Sequence, residues 1–193
     1  MNIAILSGSA RANNNTLRVA KAIKLHLESK QHQANIIDFT YYDLPLINQG
    51  TINSSDLSAF QNNLITNWRN ADLVITISPE YNWSSTPELL NMYNALGVRD
   101  FMDLFNEKAF AFVGVSTGKG GKMPCLQLIQ VVGKLVSFSN SQSFISPKIF
   151  ESHFTKEVLD ESGKSQGNVL FDKGIVDFID YNIKVAARWK KQA

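Results

Sequence analysis

The sequence predicts an α/β protein with a parallel sheet between two layers of helices. Two observations carry that prediction. Short runs such as IAIL at 3–6 and ADLVITIS at 71–78 are apolar at nearly every central position, as strands buried on both faces are. Segments with apolar residues every three or four positions alternate with these runs, which is the pattern of a sheet built by crossover helices. Right-handed crossovers leave few topologies, and five strands favour the order 2-1-3-4-5.

Each element has its own signal. After the run at 3–6, Leu17, Ala20, Ile23 and Leu27 form a helical stripe, with Asn14 or Asn15 placed to cap it. Residues 34–39 give a second strand, and 40–55 a loop punctuated by Pro45 and Gly50. A helix over 56–70 aligns Leu57, Phe60, Leu64 and Trp68, with Ser54 or Ser55 as its cap, and leads to the strand at 71–78. Pro87 suits the first position of a helix that runs to Leu96. Residues 109–116 form a fourth strand, and a helix over 123–135 presents Leu126, Ile129, Val132 and Val136. Residues 141–145 form a weak fifth strand. The polar stretch 147–168 holds one short helix near 156–160, and a final helix over 172–190 turns Ile175, Phe178, Ile179, Ile183 and Ala186 inward.

The 193 residues are read as a single domain, long enough to bury a core. A net charge of +2 gives no footprint for nucleic acid. The lone Cys125 excludes an internal disulfide and fits a reducing compartment. No signal peptide precedes the first strand, and no apolar run approaches the ~18 residues of a membrane helix. The expectation is a cytoplasmic protein without a membrane partner.

In a parallel sheet of this kind ligands bind outside the carboxyl ends of the strands. Three unusual loops fall at that edge. The first, 7–16, offers Ser9, Arg11, Asn14, Asn15 and Thr16 beside the start of a helix, a donor set suited to a phosphate. Gly8 is its only glycine, so the dinucleotide pattern G-x-G-x-x-G is absent, and the spacing at 114–120 is not that of a P-loop. The plain alternative is an ordinary turn with an Asn cap. The second loop, 79–87, is stiffened by Pro79 and Pro87 and carries Tyr81 and Trp83; it suits the rim of a flat heterocycle, or else its aromatics pack in a core or interface and Glu80 is a solvated charge. The third, 116–121, has three glycines that permit close approach to a ligand, or simply a tight turn.

GSARANNNT at 8–16, PEYN at 79–82 followed by Ser and Pro, DLPLIN at 43–48 and STGKGG at 116–121 resemble segments of the NAD(P)H-dependent FMN reductase family. The resemblance implies a flavodoxin-like three-layer sandwich, non-covalent FMN, NADPH or NADH as co-substrate, and a homodimer or homotetramer. It implies reduction of a small acceptor: a quinone, azo compound, metal oxyanion or free flavin. It places Ser9, Arg11, Asn15 and Thr16 on the FMN phosphate. Pro79, Glu80, Tyr81 and Asn82 would border the flavin ring, with Ser116 and Gly118 at its other edge. Asn14 stands where the family usually has Ser. Four residues rather than three separate Asn82 from Pro87, and Asn91 replaces a frequent Lys.

The cofactor would carry the chemistry, so neither a catalytic acid or base nor a metal site is expected. Cys125 reads as packed rather than reactive. The competing readings are a flavin-binding sensor, a flavodoxin-type electron carrier and a flavin-free phosphate-binding protein. A basic pI near 8.6 and Arg11 argue against the carrier.

Overall fold

The structure is a computed structural model that describes residues 1–190. Strands β1 (Asn2–Ser7), β2 (Gln33–Asp38), β3 (Leu73–Pro79), β4 (Ala109–Val115) and β5 (Phe144–Ile145) form a parallel sheet in the order β2-β1-β3-β4-β5. The helices are α1 (Asn15–Ser29), α2 (Ala59–Arg69), α3 (Pro87–Leu96) and α4 (Lys122–Phe138). The chain continues through β6 (Phe150–Ser152), α5 (Thr155–Val158) and α6 (Val169–Lys190).

The strand order explains the layers. The step from β1 to β2 runs one way across the sheet and later steps run the other way, so right-handed crossovers send their helices to opposite faces. Alternate strand residues then serve two cores. Ala4, Leu6, Val74, Phe110 and Phe112 pack with α2, α3 and α4, while Ile3, Ile5, Ile75, Ala111 and Val113 pack with α1 and α6. On the first face Trp68 meets Tyr93 and Phe105 edge-on, at centroid distances of 5.6 and 5.2 Å, in geometries favoured by the ring quadrupoles. The Tyr93 hydroxyl, buried there, is satisfied by Thr76 Oγ1 at 2.7 Å.

Several boundaries differ from the sequence reading. Helix α2 begins at Ala59, not 56, because Ser58 caps it: Gln61 N donates to Ser58 Oγ, and Gln61 Oε1 accepts from Ser58 N. That reciprocal box satisfies two free donors, whereas Ser55 is held in a turn by Asn53 Oδ1. Helix α4 buries Cys125, Leu128 and Val132 and leaves Leu126 exposed. Its sequence carries two adjacent apolar stripes, and contact with β4 selects one. Helix α5 starts a residue earlier than expected and stops at Val158. Helix α6 starts at Val169, where Asn168 Oδ1 accepts from Phe171 N at 3.0 Å; Val169 and Leu170 are exposed and do not continue the buried stripe.

The far edge is the largest departure. The expected strand 141–145 shrinks to β5, and β6 is an additional strand that pairs with the other end of β4. Residues 146–149 bulge between them opposite Ala111 and Phe112. Pro147 lies in this bulge; lacking an N–H, it cannot continue a ladder and is tolerated at an edge.

Candidate functional site

The reversal of strand order falls between β1 and β3, and the chain leaves both strands at the same edge of the sheet. A cleft of about 320 Å³ opens there. Ser9, Arg11, Asn14, Asn15, Thr16, Pro79, Glu80, Tyr81 and Ser116 line it, together with Ala12, Asn13, Val115, Thr117 and Lys156. Asn82 and Gly118 do not line it. Asn82 and Trp83 have positive φ (51° and 65°) at the tip of a tight turn closed by Tyr81 and Ser84, and Gly118 N donates back to Ser116 Oγ.

The first loop is shaped from inside by Asn14. Its Oδ1 accepts from Leu17 N at 2.7 Å and from Thr16 Oγ1 at 2.5 Å, and its Nδ2 donates to Arg11 O at 2.8 Å. Asn14 is therefore the helix cap and the clamp of the turn, and its amide is already engaged. Thr16 is buried, and its hydroxyl is taken up by Asn14 and Ser7 Oγ. What faces the cleft is the remainder: Ser9, the exposed guanidinium of Arg11, and Asn15. The N–H groups of Asn15 and Thr16 open helix α1 and have no acceptor within it. Asn15 Oδ1 is buried without a hydrogen-bond partner among the described residues; turning the amide over would place Nδ2, a donor, at the same point. These donors and the positive end of a helix can hold a phosphate.

The second and third loops form the opposite wall, and each is braced by side chains. Thr86 caps α3, and its Oγ1 also donates to Gly8 O at 2.9 Å, tying the second loop to the first. Gln127 Oε1 accepts from Ser84 Oγ and Ser85 N. Ser84 and Ser85, in the stretch before Pro87, are thus anchored to α4. Asn91 donates to Tyr42 Oη and Pro45 O and accepts from Ile47 N, which fixes the loop after β2. Glu80 is half-buried and engaged: Gly121 N donates to its Oε2 at 2.5 Å. That bond places a carboxylate at the N-terminus of α4. Behind it the Cys125 thiol is pushed up well beyond its ordinary pKa, chiefly by burial, with Glu151 and Glu80 adding to the effect. The thiol is a packing group.

Sequence reasoning missed Lys156. The other missed lining residues adjoin motifs already noted, but a single lysine in a polar segment carries no signal of its own. Among the described residues no group of three or more His, Cys, Asp or Glu side chains is placed to hold a metal ion. No described helix is long and apolar enough to cross a membrane.

A doubly wound sheet with a phosphate-competent loop at its switch point defines a flavodoxin-like fold. The chain belongs to the NADPH-dependent FMN reductase family, whose profile matches residues 1–150. No curated protein sequence gives a significant match. Among solved structures, the chain is similar to FerB, a flavoenzyme NAD(P)H:(acceptor) oxidoreductase from Paracoccus denitrificans. The two are 18% identical with a TM-score of 0.67, over 93% of this chain and 97% of that one. The NADH:FMN oxidoreductase EmoB is 19% identical, TM-score 0.62, over 93% and 89% of the two chains. A flavodoxin from the domain Archaea is 13% identical, TM-score 0.54, over 97% of each chain. Family membership makes the protein an FMN-dependent oxidoreductase that uses NAD(P)H, and the donors of the cleft fit the phosphate end of FMN.

Proposed function

We propose that this chain is a cytoplasmic, single-domain reductase that takes hydride from NADPH or NADH and reduces a small acceptor, of the quinone, azo, metal-oxyanion or free-flavin classes. The observation that carries the reading is the cleft itself. One wall is a phosphate-competent helix start, and the other is a braced wall of Pro79, Glu80, Tyr81 and Ser116. When bound, FMN supplies the hydride chemistry. The residues supply position and electrostatics: Ser9, Arg11, Asn15 and the N–H groups of Asn15 and Thr16 hold the phosphate, and Asn14 holds the loop in shape. Pro79, Tyr81 and Ser116 border the ring, and Glu80 keeps the glycine loop closed against it. FerB and EmoB, named for transfer to an acceptor and to FMN, support the small-acceptor reading.

Anaerobic stopped-flow mixing with NADPH and NADH tests it. Bleaching of bound flavin much faster than that of free FMN is expected, followed by reoxidation with at least one member of an acceptor panel. Bleaching no faster than free FMN would favour a flavin-binding sensor. A protein that binds no flavin on titration would remove the reading altogether.

A further inference from the structure

We infer that Lys156 is a second phosphate-binding cation, delivered to the cofactor cleft by the segment after β6; this rests on the FMN phosphate lying at the 9–16 loop. Lys156 falls outside the residues that match the family profile, so the family pattern does not assign it.

The backbone around Lys156 is fixed against α1. Thr155 is buried, with its Oγ1 on Ser152 Oγ at 2.8 Å. Val158 and Leu159 join the core that holds Val19, Ala20 and Ile23 of α1. Arg18 Nη1 donates to Leu159 O at 3.3 Å, and Lys21 Nζ to Glu161 O at 2.9 Å. Gly163 lies so close to α1 that a Cβ there would stand 2.5 Å from Ala22 N. From the other side Gln166 N donates to Val158 O and Gln166 Nε2 to Lys156 O. These contacts hold the segment against α1, and Lys156 lines the cleft beside the first residues of that helix.

The charges then point to an anion. Arg18 pairs with the Glu161 carboxylate, and Lys21 donates to the Glu161 main-chain carbonyl. Among the described residues neither Arg11 nor Lys156 has a carboxylate partner, yet both line one cleft. Glu80, the only acidic residue in the lining, is held by Gly121 N. Two cations lining one space beside a helix N-terminus offer an anion favourable charge from more than one side. A phosphate dianion satisfies all three at once.

The test is titration of the flavin-free full chain with FMN and with riboflavin, which shares the ring and lacks the phosphate. Lys156→Gln should weaken FMN binding by about tenfold, the scale of one charge-assisted bond, and leave riboflavin binding unchanged. Lys156→Arg should restore most of the loss, and Lys156→Glu should deepen it. Lys156 is exposed, so equal thermal midpoints of the flavin-free proteins are expected. If Lys156→Gln binds FMN normally while Arg11→Ala does not, the role of Lys156 is overturned and the phosphate site stands. If neither substitution affects FMN, the role of Lys156 is overturned; FMN binding no tighter than riboflavin would then place the phosphate elsewhere, and both readings fall. A raised KM for NADPH, with NADH and FMN unaffected, would assign the cation to the nucleotide's 2′-phosphate and overturn its assignment to FMN.

Discussion

Arg11 and Asn14 share one turn and have opposite commitments. Asn14 spends its amide on the loop and the helix start, whereas Arg11 is exposed and has no carboxylate partner among the described residues. Arg11→Ala should therefore cost a charge-assisted bond and nothing of the fold. Such bonds are worth about 1.5–3 kcal/mol, and exposure favours the low end, so FMN affinity should fall about tenfold; isothermal titration checks it, and an unchanged constant would mean that the helix end alone holds the phosphate or that the phosphate lies elsewhere. Cys125 makes a different prediction. Its folded thiol is raised above the ordinary 9.0, so the native state keeps a proton that the unfolded state releases. The stability that this proton confers is intact below pH 9 and declines as pH rises, by about 1.4 kcal/mol per pH unit. Tyr42, pushed up to about 12 chiefly by burial, adds to the decline above pH 10, and buried Lys108, pushed down by desolvation, opposes it. Urea midpoints of wild type and Cys125→Ala between pH 8 and 10.5 isolate the thiol: the variant should lose stability less steeply. Parallel curves would mean that the thiol ionises freely in the folded protein.

At the scale of elements, the third loop is governed by backbone contact between β4 and the start of α4. A Cβ on Gly114 would lie 1.8 Å from Gly121 O, and backbone cannot rotate aside as a side chain does. Gly121 itself has φ 111°, a conformation glycine adopts without penalty. Gly114→Ala should cost at least about 3 kcal/mol and lower retained flavin, since Glu80 is anchored to the same turn. Denaturant unfolding reads the first effect, and a midpoint like the wild type would show that loop and strand part easily. The sequence marked the glycine loop but left tight turn and ligand approach equally open. Packing makes it a close crossing of backbones, held at its end by the Glu80 carboxylate. Ser58 shows the converse, since the S-x-x-Q box was present in the sequence and an apolar stripe beginning at Leu57 concealed it.

At the scale of the whole molecule, we propose that the chain assembles as a homodimer or homotetramer through loops beside the cleft. Trp83 at the tip of the second loop is 77% exposed, and Leu46 and Ile47 on the loop after β2 are more than half exposed. Exposed apolar side chains that form a contiguous patch mark an interaction surface. Trp83→Glu should weaken association by about 2 kcal/mol, the scale of an interface tryptophan, or near thirtyfold in dissociation constant. Sedimentation equilibrium across a dilution series measures this, and an unaltered association constant would place the interface elsewhere.

The layers and the three loops at one edge were legible from residues alone, because apolar spacing tells which residues are buried and short polar loops tell where the chain turns. The strand order needed one general rule besides, the handedness of crossovers, which leaves few arrangements for five parallel strands. The tertiary structure alone decided that Asn14 is consumed by its own loop, that Glu80 grips Gly121 and that β6 completes the sheet beyond Pro147. It also decided that the segment after β6 returns to α1, through contacts such as Arg18 to Leu159 that span 141 positions. Periodicity carries no information over such a distance, because the energy of that contact depends on where two remote segments come to lie. Lys156 reaches the cleft by this route.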